Sequence, residues 1–96
     1  MGQLRLEKIQ EFIKQEVSKI ILTDLKDPRI GFVTVTRVEV TGDLRQAKVL
    51  ISLLGSDEQK AETLQALKKS LGFIRTEVGR RLKIRHSPEL MFQLDE

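Results

Sequence analysis

Between Lys68 and His86 the chain places seven cationic side chains, Lys68, Lys69, Arg75, Arg80, Arg81, Lys83 and Arg85, against one acid, Glu77. Cations at that density have few natural partners other than a polyanion. Lys69, Phe73, Thr76, Arg80 and Lys83 advance by fours and threes, so on a helix they share one stripe, with an aromatic ring among the cations. Lys and Arg would pair with phosphates, and Phe73 is the candidate for stacking on a base. The plainer account is a solvated helix face, with Phe73 turned inward by a bend. For the ring alone that plainer account is the one adopted, and for the cations polyanion binding is. Arg29 and Arg45 are weaker candidates, since Asp27 stands two residues before the first and surface charge accounts equally for both.

A second helical stripe must hold these residues in place. Leu64, Leu67, Leu71, Ile74, Val78 and Leu82 step by three or four and require burial. Gly72 interrupts that stripe without shifting its register, so Ser70-Leu71-Gly72 is expected to bend the segment into two short helices. Gly72 serves geometry, and Gly79, which could permit a close backbone approach, reads instead as a tolerated surface residue.

Ninety-six residues with 40% hydrophobic and 32% charged side chains make one globular domain, residues 1–96, with room for one core. Net charge is only +3, so the case for a nucleic-acid partner rests on clustering. The absence of cysteine removes disulfides and thiolate chemistry and fits a cytoplasmic address. No apolar run reaches membrane-span length, so no membrane partner is expected. A lone His86, no metal-ligand cluster and no phosphate-cradling Gly-rich loop leave no catalytic residues, metal or cofactor to nominate, and the expectation is a monomeric binding protein, not an enzyme.

Along the chain, Leu6, Ile9, Ile13, Val17 and Ile20 mark a first helix from Leu4 to Leu25, which Pro28 ends near Lys26. Phe32–Val40 is β-rich with imperfect alternation, Thr41–Arg45 is a turn, and Gln46–Leu54 is a second strand pointing Ala47, Val49, Ile51 and Leu53 inward. Ser56 or Asp57 caps the bent helical region. Ser87-Pro88 precedes a third strand carrying Leu90, Phe92 and Leu94. A right-handed helical crossover makes strands two and three parallel, giving sheet order one, two, three. The expected fold is a two-layer α+β domain, α-β-β-α-kink-α-β, with a three-stranded mixed sheet and all helices on one face. Leu50 and Leu54 then lie on the open face and suggest either a covering tail or a docking surface for a partner protein, the rival function.

Four groups in order, Asp27-Pro28-Arg29 with Gly31, Val38 to Leu44 leading into Ala47-Lys48-Val49, Ser70 to Arg75, and Arg85 to Phe92, make the chain resemble ribosome-binding factor A along nearly its whole length. The resemblance implies a type II KH-like fold in which Ser70-Leu71-Gly72 replaces the usual Gly-x-x-Gly loop. It also implies binding to 16S ribosomal RNA of the free 30S subunit near its 5′ end, in late maturation and cold adaptation of bacterial cells.

Overall fold

The computed structural model describes residues 3–83 and 87–95. Helix α1 (Gln3–Lys19) runs into a π turn (Ile20–Asp24). Strands β1 (Val33–Val40) and β2 (Gln46–Leu53), helices α2 (Asp57–Lys69) and α3 (Leu71–Leu82), and strand β3 (Glu89–Leu94) follow. The sheet order is β1-β2-β3, with β1 antiparallel and β3 parallel to β2, as the crossover argument expects.

The central strand dictates the core. Ala47, Val49, Ile51 and Leu53 are buried on one face and pair laterally with Val40, Val38, Val35 and Val33 of β1. In β1 the inward step from Val35 to Val38 is three residues, because a bulge sets both Thr36 and Arg37 opposite Leu50. The imperfect alternation in the sequence is that extra residue. Leu90 and Phe92 continue the row on β3, and Ile13, Val17, Ile20, Leu67, Ile74 and Val78 cover it from the helical side.

The first helix departs from a plain α-helix at its end. Leu25 N–H donates to the Ile20 carbonyl, an i→i−5 bond that inserts about one extra residue into the turn. Asp24 therefore occupies the place of a residue seven after Glu16, and a seven-residue step returns it to the same face. Both Ile20 and Ile21 are buried as a result.

Helix α2 is rotated from the expected stripe, burying Thr63, Ala66 and Leu67, while Leu64 is only partly covered. Thr63 explains the rotation. Its hydroxyl donates to the Arg29 carbonyl at 3.2 Å and accepts from the Gly31 N–H at 3.2 Å, fastening the Asp27–Gly31 turn to α2. Ser56 caps α2 through a reciprocal bond pattern with Gln59.

The bend falls on one residue, Ser70, with φ −87° and ψ 1°. Its N–H is shared between the Ala66 and Leu67 carbonyls. Gly72 lies inside α3, and a Cβ there would meet nothing within 4 Å. Gly79 is a different matter from the surface role expected of it, since a Cβ there would stand 3.0 Å from Ser87 Cβ. Its missing side chain lets the segment entering β3 pass close to α3.

Two stability outcomes are expected in urea unfolding. Thr63→Val should lower stability by about 1–3 kcal/mol, because a carbonyl and an N–H lose their partner, and Thr63→Ser should restore most of it. Gly72→Ala should raise stability by about 1 kcal/mol with the interhelical angle unchanged; a changed angle would place the bend at Gly72 after all.

Candidate nucleic-acid interface

Helical geometry sorts the cations of α3 before any contact is consulted. Taking the buried stripe of Leu71, Ile74, Val78 and Leu82 as reference, Arg75 and Arg81 lie about 60° to either side, whereas Thr76, Arg80, Lys83 and Phe73 lie about 140–160° away. The flanking pair leans toward neighbouring elements, and the distal set faces outward.

The contacts follow this division. Arg81 turns toward α1 and the π turn, with Nη1 3.3 Å from Glu16 Oε1 and Nη2 2.8 Å from Asp24 Oδ2 and 3.6 Å from Glu77 Oε1. Its side chain is 28% exposed and is engaged by three carboxylates, so it locks α3 to α1 instead of joining the outer face as expected. Arg75 reaches β3, where Nη1 lies 3.2 Å from Glu89 Oε1. The Glu89 N–H donates to the Arg45 carbonyl, so the Arg45 backbone and the Arg75 guanidinium meet at the start of β3. Arg45 itself is exposed, 4.0 Å from Asp43. Asp43 is held below the usual carboxylate range by the Thr41 hydroxyl and the Arg45 N–H.

On the outer side Arg80 is 73% exposed and donates to Glu77 at 2.7 Å. Phe73 is 48% exposed, which overturns the inward placement: its phase on α3 keeps the ring on the distal side, and the break at Ser70 does not turn it inward. Lys83 is exposed and ends α3 in the left-handed region, φ 56° and ψ 40°, where glycine is the usual occupant. Lys69 is exposed at the end of α2, and among the described residues it enters no ion pair. Arg85 lies outside the described residues.

Lys69 is close enough to the Asp27 turn to help depress the Asp27 carboxyl, whose pKa falls to about 2 mainly through the Arg29 side-chain and backbone bonds. Asp27 accepts from Arg29 N at 2.9 Å, Nε at 3.0 Å and Nη2 at 2.6 Å, and the guanidinium is correspondingly harder to deprotonate. Because the folded carboxyl titrates below the ordinary value of 3.8, its contribution to stability is present above that value and disappears as pH falls toward 2. Arg29 is thus a turn residue tied to Asp27, whose carboxyl also lies within electrostatic reach of Lys69.

The candidate residues form three exposed groups: Phe73, Thr76, Arg80 and Lys83 on α3, Lys69 with Arg29 near the bend, and Arg45 with Arg75 at the start of β3. Sequence reading missed Thr63 and the Glu16–Asp24–Glu77 set. The 60° flanking positions were the available signal for the carboxylates.

The open sheet face does not carry the expected apolar pair. Leu50 is 5% exposed, hemmed by Thr36 and Arg37 on one side and Gln93 on the other, and Leu54 lies past the end of β2. Leu54 remains exposed there, as expected, and Met91 is exposed on β3; a further groove of about 460 Å³ lies between the π turn and β1, lined by Ile21, Leu22, Leu25, Ile30, Phe32 and Val33. No described helix is long and apolar enough to cross a membrane. Among the described residues no three His, Cys, Asp or Glu side chains gather as a metal site.

Comparison with known proteins agrees with this architecture. Residues 5–96 match the family described as ribosome-binding factor A. The chain is 60% identical over 97 residues to ribosome-binding factor A of Clostridium novyi, covering all of this chain and 80% of that protein. It is 58% identical over 91 residues to that of Desulforamulus reducens, covering 95% and 76%. The solution NMR structure of a Thermotoga maritima protein described as a ribosome-binding factor A superposes with TM-score 0.85 at 34% identity, covering 100% of this chain and 92% of that one. A homology model of the Thermus thermophilus factor, as fitted into a cryo-EM map of a 30S complex, superposes with TM-score 0.75 at 24% identity, covering 92% of each. With the match running from residue 5 to the last residue and the same α+β arrangement in the solved relatives, the chain belongs to the ribosome-binding factor A family.

Proposed function

We propose that this protein is a single-domain, monomeric, cytoplasmic factor that binds 16S ribosomal RNA of the free 30S subunit near its 5′ end and assists late maturation, with particular importance in the cold. The family assignment supports binding to the ribosome, and the fitted 30S complex of the Thermus thermophilus factor supports the small subunit as the target. The reading adopted is one of binding, not catalysis.

The observation that carries the RNA reading is the outer face of α3. Lys83 holds a backbone conformation that costs a non-glycine residue roughly 1–2 kcal/mol, which its position at a helix C-terminus offsets in part, and its side chain is exposed without an ion-pair partner among the described residues. A phosphate ligand would offset the rest. With Arg80 on the same face, Phe73 open for stacking, and Lys69 near the bend within electrostatic reach of the turn that carries Arg29, the surface suits a folded RNA whose phosphates are spaced by its shape. Arg45 and Arg75 form a second, outlying pair of contacts, and Arg85 remains a candidate by sequence. Ser70 contributes geometry: the break there sets the angle between α2 and α3, with Gly72 inside α3.

Protein docking keeps one favourable observation, the apolar groove beside the π turn with its exposed Leu22 and Phe32. Salt separates the two readings, since an apolar contact responds weakly to it. Co-sedimentation with purified 30S subunits across a salt series should give a steep linear fall of log affinity with log salt. In Lys69→Gln/Lys83→Gln that slope should be shallower by roughly 1.4 to 1.8, at about 0.7 to 0.9 for each phosphate contact removed. A slope near zero in the unaltered protein would instead favour the groove. Lys83→Gly should act in opposite directions on two measurements, raising thermal stability by about 1 kcal/mol while weakening subunit binding.

A further inference from the structure

Glu77 is the single acid within the basic segment from Lys68 to His86, and its position is specific. The side chain is 13% exposed, and the same oxygen, Oε1, lies 2.7 Å from Arg80 Nη2 and 3.6 Å from Arg81 Nη2. One carboxylate therefore stands between an outward guanidinium and an inward one. Arg81 has two further carboxylates, Glu16 and Asp24, so its charge is met without Glu77. Among the described residues Arg80 has only Glu77.

We propose that Glu77 sets how strongly the outer face of α3 holds nucleic-acid phosphate, acting as a built-in anion on Arg80 that the phosphate must displace. This inference rests on the RNA-binding reading above. A phosphate approaching Arg80 meets a carboxylate of like charge already in contact with the same guanidinium, and like charges that close oppose each other. The nearby Nη2 of Arg81 gives that carboxylate somewhere to go. As Glu77 leaves Arg80 it closes on Arg81, so phosphate binding outside strengthens the lock of α3 onto α1 inside. Lys83 has no such counterion among the described residues and carries its full charge to the ligand.

The test is a double-mutant cycle read by co-sedimentation with purified 30S subunits at fixed salt. Glu77→Gln keeps the shape and removes the charge, and should tighten binding by about two- to fivefold, the range an exposed ion pair spans. In an Arg80→Gln background the same change should give no gain. Unchanged or weaker binding in Glu77→Gln, or a gain that survives the loss of Arg80, would overturn the proposal. Should Glu77→Gln fail to fold, two single variants decide the matter: Lys83→Gln must cost more affinity than Arg80→Gln, and the reverse order overturns it. The salt slope of the unaltered protein tells the two levels apart. A flat slope removes the RNA reading and this inference together, whereas a steep slope with no effect of Glu77→Gln removes this inference alone.

Discussion

Three strands with helices on one face leave a single apolar row to be covered, and the central strand carries its middle. Ala47, Val49, Ile51 and Leu53 need helices above them, and their lateral neighbours on β1 and β3 must point the same way. The bulge at Thr36 follows from this requirement. Without the extra residue, Val38 and Val40 would turn to the open face while Val33 and Val35 stayed inside, because each one-residue slip inverts a strand. Thr36 then bonds the Leu50 carbonyl and Asp95, joining all three strands on the outer side.

The helical layer is held by polar devices as much as by packing. Arg81 gathers carboxylates from α1, the π turn and α3, and the π turn exists in the place that brings Asp24 onto the face of Glu16. Thr63 ties the Asp27–Gly31 turn to α2. Together these contacts fix the orientation of α3, and with it the direction in which Arg80, Lys83 and Phe73 face. The proposed shape-selective RNA-binding surface would need that rigidity, since phosphates are matched by the separation of cations rather than by reading bases.

The cationic segment therefore divides its labour. Residues about 60° from the buried stripe meet acids of other elements, and those on the far side face outward. Arg75 and Arg81 have the same charge and nearly the same sequence neighbourhood as Arg80 and Lys83, yet their acidic partners, Glu89, Glu16 and Asp24, come from other elements. Glu77 sits at the boundary between the two classes.

Element order, sheet order, the parallel pairing of β2 with β3 and the bend near Gly72 were all legible in the chain itself, because hydrophobic periodicity, Pro28, the Gly-containing turns and crossover handedness are local or nearly local constraints. The clustering of cations was legible too, as was the family likeness carried by the short motifs. Helical phase separates the flanking cations from the distal ones, but which acids meet the flanking pair was decided by tertiary structure. Glu16 and Asp24 are 65 and 57 residues from Arg81, so no pattern within the segment names them as its partners. The bulge likewise brings Arg37 and Thr36 around Leu50. Long-range pairing spends some charges inside the fold and leaves others for a partner, and the chain folds before that choice exists.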